Sequence, residues 1–406
     1  MPVPARNTLA IVGAGPIGLE AAASALERGF DVHVFERGEV GSHPIAWGHV
    51  RMFTPWRMNI GPASARLLAR HGWTAPPADE APTGAELAER FLAPLAATPE
   101  LKGRVHEHSQ VVHIGRQGTL KSERTSDPAR AANPFRLLVR DSGGRENILR
   151  TFAVIDASGT YSSPNWAGSG GIPARGELYL APQMSYHCDD VRGLRRARHE
   201  GKRTLVIGGG ATAATTVAEL AQLAAESPGT TVTWVTRETA AFAGEIANDS
   251  LPVRAALYAG AHALRTGSDP AVQWVGGAEV EGFEYNSATH KYRVALDVGG
   301  LARLEEADQV IVNAGFGPDN SIYRELQVHE SYLSRGPAKL ADSLATAGTA
   351  VPSSDAAALA NPEPDFFILG AKSYGRNGTF LLPAGHAQVE EALAALATRL
   401  LEASAR

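Results

Sequence analysis

A short apolar strand followed by a glycine-rich turn and a helix occurs twice in this chain, and this repeat constrains the fold more than any other feature. Residues 9–12 (LAIV) and 204–207 (TLVI) are largely apolar runs of the length of a buried parallel strand. A glycine turn and then a helical pattern follow each run. The two units start about 200 residues apart, which excludes a solenoid and predicts two separate α/β sheets.

The first turn, Gly13-Ala-Gly15-Pro-Ile-Gly18, has the GxGxxG pattern of a dinucleotide-binding turn. Gly13 permits the tight turn, Gly15 leaves the backbone open to a pyrophosphate, and Gly18 lets the helix approach the strand. The start of the helix offers N–H groups and partial positive charge to phosphate. Glu36 ends the next strand, where a carboxylate accepts hydrogen bonds from ribose hydroxyls and repels a 2′-phosphate. The first site therefore suits an unphosphorylated adenosine ribose.

The second turn, Gly208-Gly-Gly210-Ala-Thr-Ala213, has alanine in place of the third glycine, which the pattern allows. The next strand ends at Thr236-Arg237, and no acid comes before Glu238. A guanidinium at this place matches a 2′-phosphate, so the second site is predicted to bind NADPH. The alternative, that Arg237 is an ordinary solvated arginine, stays open.

Composition excludes several other classes of protein. The net charge of −5 gives no electrostatic footprint for nucleic acid, and no apolar run is long enough to cross a membrane. The single cysteine, Cys188, excludes an internal disulfide and every CxxC site. The pair His106-Glu-His108 has no third ligand nearby and is interpreted as a surface pair, so no metal site is predicted. Without a secretory pattern at the N-terminus, a cytoplasmic protein is expected.

Two dinucleotide-binding turns in one chain resemble the two-dinucleotide-binding-domain flavoproteins. In that group the N-terminal turn binds FAD, and the NADPH-binding domain is inserted into the FAD-binding domain. The segments Asp156–Thr160 and Asn313–Asp319 are similar to the two crossovers that join the domains. The resemblance implies an α/β fold: a Rossmann-like FAD-binding domain formed by residues 1–168 and 319–406, and an inserted Rossmann-like NADPH-binding domain formed by residues 169–318.

Residues 41–62 resemble the loop that covers the flavin in flavin-containing monooxygenases. In those enzymes an asparagine followed closely by a proline lies beside the flavin and steadies its oxygen adduct, and Asn59 matches that asparagine. Trp47, His49 and Arg51 precede it in the same loop and would form part of the flavin wall. The alternative for Trp47 and Trp56 is ordinary packing.

Residues 370–382 resemble the C-terminal FAD segment of the N-hydroxylating and flavin-containing monooxygenases, which would place Thr379 and Leu382 near the flavin pyrimidine. A disulfide reductase would need a reactive cysteine beside the flavin, and Cys188 is interpreted as a packed residue. The FxGxxxHxxx[FY] signature is broken around His187, which disfavours Baeyer–Villiger chemistry and makes the chain an outlying relative.

The resemblance implies an FAD- and NADPH-dependent monooxygenase that uses O₂ to oxygenate a nitrogen or sulfur of a small molecule through a flavin C4a-hydroperoxide. The alternatives are an NADPH-dependent flavin reductase that passes electrons to a quinone, a disulfide or a protein without oxygen insertion, and a non-catalytic flavoprotein sensor. Substrate identity and oligomeric state, including a homo-oligomer, stay open. Asn59 is the predicted catalytic residue, and the predicted cofactor-binding residues are Gly13, Gly15, Pro16, Ile17, Gly18, Glu36, Arg37, Trp47, His49, Arg51, Gly208, Gly210, Ala211, Thr212, Arg237, Ala314, Gly315, Thr379 and Leu382.

Overall fold

The computed structural model describes residues 4–267, 269–347 and 355–404. Strands and helices alternate along much of this length, as the two strand–turn–helix units predict. The strands are β1 (Thr8–Val12), β2 (Asp31–Phe35), β3 (Val105–His106), β4 (Ser109–Arg116), β5 (Phe135–Asp141), β6 (Glu146–Thr151), β7 (Ala153–Asp156), β8 (Arg203–Ile207), β9 (Thr231–Val235), β10 (Val272–Val275), β11 (Ala278–Asn286), β12 (Lys291–Val298), β13 (Leu301–Ala307), β14 (Gln309–Val312) and β15 (Phe366–Ile368).

The helices range from single turns to one of 23 residues at the C-terminal end of the described chain. None of the helices described is both long enough and apolar enough to cross a membrane. The α-helices are α1 (Pro16–Glu27), α2 (Ser42–Ala46), α3 (Trp56–Asn59), α4 (Pro62–Arg70), α5 (Gly84–Leu87), α6 (Ala93–Ala96), α7 (Glu177–Leu180), α8 (Arg196–His199), α9 (Ala211–Glu226), α10 (Pro252–Arg265), α11 (Ala338–Ala347), α12 (Ala356–Leu359) and α13 (Leu382–Ser404).

The described chain divides into two compact units. Of the described residues, unit 1 comprises 4–48, 54–163, 317–347 and 355–404, and unit 2 comprises 49–53, 164–267 and 269–316. Each unit contains one parallel sheet and one three-stranded antiparallel sheet. This arrangement confirms the predicted α/β class with two Rossmann-like sheets.

The parallel sheet of unit 1 has the strand order β15-β7-β1-β2-β3. Its central strand β1 is buried along its whole length, which explains its continuous apolar sequence. Ala10 and Val12 of β1 share a core with residues of the antiparallel sheet β4-β5-β6, among them Val111 and Phe135. Side chains alternate along a strand, so the intervening Ile11 faces the other side of the sheet, where α1 packs.

The parallel sheet of unit 2 has the order β10-β9-β8-β14, and β11-β12-β13 form its antiparallel sheet. Along β8, Leu205 and Ile207 belong to a core shared with the antiparallel sheet. Val206 belongs instead to the core beneath α9 and α10, together with Val217 and Tyr258. The two-residue period of the strand thus separates two cores on the two faces of one sheet.

Three local expectations need correction or refinement. The aperiodic sequence of residues 40–65, rich in Gly, Pro, Trp and Met, predicts one long loop, but helices α2 and α3 and the start of α4 lie there. The pattern Thr83-Gly-Ala-Glu86 predicts a capping box that opens a helix to about Ala97. The capping box is present, but the helix passes through a π-helical turn at Ala88–Leu92. The alternation of apolar and polar residues over 104–114 predicts antiparallel pairing, but the first residues of this segment form β3, which pairs in parallel with β2. Short helices lack a long periodic pattern, so sequence period alone did not reveal them.

Candidate functional site

The first glycine turn has the tight surroundings that its sequence pattern requires. Gly13 has a φ of +100°, and a Cβ there would lie 2.7 Å from the Ala157 carbonyl oxygen. A Cβ on Gly18 would overlap the Gly13 carbonyl oxygen, so only glycine lets α1 start this close to the turn. Gly15 is different, because no protein atom lies within 4 Å of the place that its Cβ would take. The turn is packed on the protein side and open at the residue that would meet a pyrophosphate.

Helix α1 starts with no side chain bonded to its first N–H groups. Gly15 is its N-cap, Pro16 is its first residue, and no acidic residue lies in its first turn. The N–H groups of Ile17 and Gly18 have no acceptor within the helix, because a helix leaves its first N–H groups unpaired. An uncapped helix start of this kind binds anions.

The Glu36 carboxylate holds the first turn in shape. It accepts hydrogen bonds from the Ala14 N–H at 2.9 Å, the Gly38 N–H at 2.8 Å and the Ser42 hydroxyl at 3.2 Å. A carboxylate has about four acceptor positions, so one remains for a ribose hydroxyl. The neighbouring Arg37 is exposed.

The predicted C-terminal segment reaches the first turn through Ile17. A Cβ on Gly370 would lie 3.2 Å from Ile17, and one on Gly385 would overlap the end of the same side chain. The amide side chain of Gln388, on α13, accepts a hydrogen bond from the Gly370 N–H at 2.8 Å. The start of α13 at Leu382 and the start of α1 therefore converge, while Thr379 is exposed.

A buried ion pair that the sequence did not indicate lies next to this turn. The Lys372 ammonium is 2.6 Å from the Asp156 carboxylate and 3.1 Å from the Ser158 hydroxyl. Both charged side chains are almost completely inaccessible. The Tyr323 ring lies 5.2 Å from the ammonium, and burial together with the charge of Asp156 raises the pKa of the Tyr323 hydroxyl. Lysine and aspartate are rarely buried unless paired, but their pairing could not be read from residues so far apart in sequence.

A second buried carboxylate, that of Glu20, occupies the start of α4. It accepts hydrogen bonds from the N–H groups of Ala63 at 2.8 Å and Ser64 at 2.9 Å. A Cβ on Gly61 would overlap this carboxylate, which explains a glycine there. The start of α4 is thus already paired with an acid of the protein, in contrast to the start of α1.

Asn59 is fully buried, and its amide bonds within its own loop. Its Nδ2 donates to the Thr54 carbonyl at 2.8 Å, and its Oδ1 accepts from the Thr54 hydroxyl at 2.6 Å. One N–H of the amide is left over from these two bonds. The role beside a flavin stays a prediction, and the loop-fixing alternative has these contacts in its favour.

The other aromatic and basic residues of this loop have unlike surroundings. Trp47 is half-buried and packs against Gly84. Trp56 is 1% exposed, with the Arg90 guanidinium 5.7 Å from its ring, as its packing alternative expects. Arg51 is exposed. His49 and Arg51 fall in unit 2, whereas Asn59 falls in unit 1.

Three buried imidazole nitrogens have no hydrogen-bond partner within the described residues: Nε2 of His49, of His199 and of His386. His386 lies in the second turn of α13, and burial lowers its pKa to about 4. The His386 imidazole is therefore kept neutral at pH 7, because burial disfavours its charged form.

The second glycine turn repeats the geometry of the first inside unit 2. Gly208 has a φ of +139°, and a Cβ there would overlap the Asn313 carbonyl oxygen. Gly210 is the N-cap of α9, which again has no side-chain cap and no acid in its first turn. Ala211 and Thr212 form that uncapped turn, so their N–H groups have no acceptor within the helix. The two predicted dinucleotide turns thus have the same open helix start.

The crossover residues Ala314 and Gly315 lie beside Asn165. The Asn165 N–H donates to the Gly315 carbonyl at 2.9 Å, and its side-chain amide donates to the Ala314 carbonyl at 3.2 Å. Both residues therefore fix the crossover through their carbonyl groups.

Arg237 extends into solvent, with 80% of its side chain exposed, and bonds to Glu238 at 3.0 Å. The Glu238 carboxylate, which the sequence placed outside the motif, lies against the turn: its Oε2 is 2.6 Å from the place that a Cβ would take on Gly209. Thr236 stabilises this corner by donating from its hydroxyl to the Glu238 carbonyl at 2.8 Å.

Cys188 is buried in unit 2, and its sulfur lies 3.6 Å from the Thr216 hydroxyl. Burial raises the pKa of the thiol to about 11. Such a thiol is a poor nucleophile because the thiolate is the reactive form. No group of three or more candidate metal ligands occurs within the described ranges.

Solved structures of similar fold were found over nearly the whole chain. Bacillithiol disulfide reductase from Bacillus cereus has a TM-score of 0.68 at 18% identity, with 97% of this chain and 99% of that chain covered. Cadaverine monooxygenase of desferrioxamine biosynthesis from Erwinia amylovora, solved with FAD, has a TM-score of 0.65 at 11% identity, covering 98% and 95%. Ornithine N-hydroxylase from Kutzneria sp. 744, solved with reduced FAD, NADP⁺ and L-ornithine, has a TM-score of 0.64 at 14% identity, covering 98% and 99%.

The chain has the fold of the two-dinucleotide-binding-domain flavoproteins. Both branches that the sequence weighed, disulfide reductases and N-hydroxylating monooxygenases, are among these neighbours. Neither a scan of protein-family profiles nor a search of curated proteins finds a match. The comparisons therefore support the fold, and the choice between the two chemistries depends on the residues.

Proposed function

We propose that this chain is an FAD- and NADPH-dependent monooxygenase that transfers oxygen from O₂ to a nitrogen or sulfur of a small molecule. The observation that carries the choice of branch is Cys188. It is the single cysteine of the chain, it is buried, and its pKa is raised to about 11. Disulfide exchange through a thiol of this chain is disfavoured, because exchange needs an accessible thiolate. The N-hydroxylating branch needs no thiol.

The two cofactors are assigned by their turns: FAD to the domain formed by residues 1–168 and 319–406, and NADPH to the domain formed by residues 169–318. The supporting geometry is the pair of uncapped helix starts, α1 after Gly15 and α9 after Gly210. Glu36 at the first turn favours a ribose with free hydroxyls, as in FAD. Arg237 follows the end of β9, where a guanidinium suits a 2′-phosphate.

Different residues would bind the FAD phosphates, orient its ribose and stabilise charge at its flavin ring. Bound FAD supplies two-electron chemistry with nicotinamide and with O₂. The N–H groups after Gly15 bind phosphate, and the remaining acceptor position of Glu36 orients the ribose. The positive end of α13 stabilises negative charge near Leu382. The Asn59 amide is fully buried and has one N–H left for a polar partner.

The alternative is a flavin reductase that passes electrons to a quinone, a disulfide or a protein acceptor. Similarity in fold to a bacillithiol disulfide reductase favours it. With Cys188 buried, a disulfide acceptor would have to exchange electrons with the flavin without a thiol of this chain.

The experiment that decides between the two functions measures whether an oxygen atom from O₂ enters the product. The purified holoprotein is supplied with NADPH, ¹⁸O₂ and a panel of amines and thioethers, and products are analysed by mass spectrometry. The proposal expects one ¹⁸O in a product, with NADPH consumed in equal amount. If NADPH oxidation is coupled to reduction of a quinone or disulfide and no product carries ¹⁸O, the monooxygenase proposal is wrong and the reductase alternative is supported. If NADPH does not reduce the bound flavin, the non-catalytic sensor is the remaining alternative.

A further inference from the structure

An acidic side chain lies near the middle residue of each glycine turn, although Glu36 directly follows β2 and Glu238 is the third residue after β9. In the first turn, Glu36 bonds to the N–H of Ala14, the middle residue of Gly13-Ala-Gly15, at 2.9 Å. In the second turn, the Glu238 carboxylate lies against Gly209, the middle residue of Gly208-Gly-Gly210. The missing side chain at Gly209 is what leaves room for the carboxylate, because a Cβ there would be 2.6 Å from Glu238 Oε2.

The adenosine ribose of a dinucleotide lies beside this part of the turn, between the glycines and the end of the second strand. A carboxylate there accepts hydrogen bonds from the 2′- and 3′-hydroxyls. A 2′-phosphate carries a charge of about −1.5 to −2 at pH 7, so the same carboxylate repels it. The Glu238 side chain is 28% exposed, and its backbone carbonyl accepts a hydrogen bond from the Thr236 hydroxyl. Its carboxylate lies against Gly209 through Oε2 and is bonded by Arg237 at Oε1.

Arg237 has the opposite charge but a different position. Its side chain is 80% exposed, and its guanidinium donates a hydrogen bond to the Glu238 carboxylate at 3.0 Å. A guanidinium already paired with a carboxylate offers less to a phosphate than a free one, because the two charges partly cancel. The corner of the second turn therefore presents both an acid and a base, with the acid nearer to the glycines.

We propose that Glu238 is a specificity-determining residue for the nicotinamide nucleotide: it accepts a hydrogen bond from the adenosine ribose and keeps the second site open to NADH. This inference rests on the proposed function only in taking the second turn as the nicotinamide-nucleotide site. Arg237 raises the preference for NADPH, and Glu238 lowers it. The wild-type protein uses both nucleotides.

The test compares Glu238→Gln with the wild type in the holoprotein. The ratio of kcat/KM for NADPH to that for NADH should rise about ten- to a hundredfold, as expected for removal of one charged contact. Most of the change should appear in KM. Arg237→Ala should lower the same ratio. Glu281→Gln removes the same charge from an exposed position on β11 and should leave the ratio unchanged.

Binding of 2′,5′-ADP and 5′-ADP, measured by calorimetry, separates this inference from the proposed function. Glu238→Gln should strengthen binding of 2′,5′-ADP relative to 5′-ADP by a similar factor, whether or not the nucleotide reduces the flavin. If flavin reduction fails but this shift occurs, the proposed function falls and the role of Glu238 stands. An unchanged binding ratio in Glu238→Gln, or no binding of either probe to the wild type, would overturn the inference.

Discussion

At the scale of single residues, the three glycines of the first turn do different work. Gly13 and Gly18 are fixed by the protein itself, because a Cβ on either meets backbone atoms of the chain. Gly15 meets nothing within 4 Å. A substitution at Gly15 can therefore disturb ligand binding without disturbing the fold. A substitution at Gly13 or Gly18 would disturb the fold as well.

Gly15→Val should fold and lose FAD. Its backbone φ of −83° is accessible to valine, and the added methyl groups would fill the space that a pyrophosphate needs. Flavin content after purification and the thermal midpoint of the apoprotein measure the two properties. Gly260→Val, at an exposed glycine of α10 with equally open surroundings, is the matched control and should keep its flavin. Full flavin occupancy in Gly15→Val would contradict the assignment of this turn.

Asn59 and Thr54 form a reciprocal pair, so the two roles of Asn59 can be separated by changing each partner. Either Asn59→Ala or Thr54→Val leaves a buried polar group unpaired and should lower the free energy of unfolding by about 1–3 kcal/mol. If Asn59 also contacts the flavin, Asn59→Ala alone should release more hydrogen peroxide per NADPH oxidised. Equal peroxide yields in the two variants would assign Asn59 to loop stability only.

At the scale of elements, one carboxylate joins segments of unit 1 that are far apart in sequence. Glu363, before β15, bonds to Arg116 at the end of β4 at 2.9 Å and to Arg130 at 2.8 Å. The Gln327 N–H donates to the same carboxylate at 3.0 Å. All three charged side chains are fully buried. The segment 115–132, which the sequence presents as a polar and mobile loop, is thus anchored at Arg130.

Glu363→Gln should lower the free energy of unfolding by about 3–5 kcal/mol, because it leaves two buried guanidinium groups without their counterion. Burial acts to raise the pKa of Glu363, but bonds from Arg130 and Gln327 and the charge of Arg116 bring it below the ordinary 4.5. The stabilisation is therefore complete above about pH 4.5 and is lost as the pH falls through the lower folded value.

Chemical denaturation of the wild type and of Glu363→Gln between pH 3 and pH 7 measures this difference. The gap between the two proteins should narrow at the acidic end. Glu146→Gln, which breaks the half-exposed pair with Arg140 on the same antiparallel sheet, should cost less than about 1 kcal/mol. A constant gap at all pH values would mean that Glu363 does not titrate differently in the folded protein.

Whether a contact can be predicted from the sequence depends on how far apart its two residues lie along the chain. Gly13, Gly18 and Glu36 were predictable because their neighbours lie within one strand–turn–helix unit, where spacing fixes geometry. Lys372 and Asp156 are 216 residues apart in sequence, and Arg116 and Glu363 are 247 apart. No local sequence pattern could therefore predict either ion pair. Glu238 was visible as the next acid after Arg237, but its approach to Gly209 depends on the fold of the loop.

At the scale of the whole molecule, unit 2 is a continuous stretch of chain apart from residues 49–53. The two ends of this stretch adjoin, since Pro164 pairs with Phe316 and the Asn165 N–H bonds to the Gly315 carbonyl at 2.9 Å. It has cores of its own on both faces of its parallel sheet. A stretch with neighbouring ends and its own cores has the features of an independently folding domain.

The fragment 164–316 should therefore fold by itself. A cooperative thermal transition and dispersed amide signals in NMR are the expected results, and 2′,5′-ADP should raise the transition temperature because it binds only the folded form. A fragment without a cooperative transition would show that residues 49–53 or unit 1 are needed for its folding.

The burial of Cys188 bears on the resistance of the protein to oxidation. A flavin enzyme that meets O₂ releases some hydrogen peroxide, and an exposed thiolate would be oxidised stepwise to sulfenic and sulfinic acids. Here the only thiol is buried and stays protonated at neutral pH, since burial raises its pKa to about 11. If the chain reacts with O₂ as proposed, it offers the peroxide no reactive thiol, so thiol oxidation should not limit its lifetime during turnover.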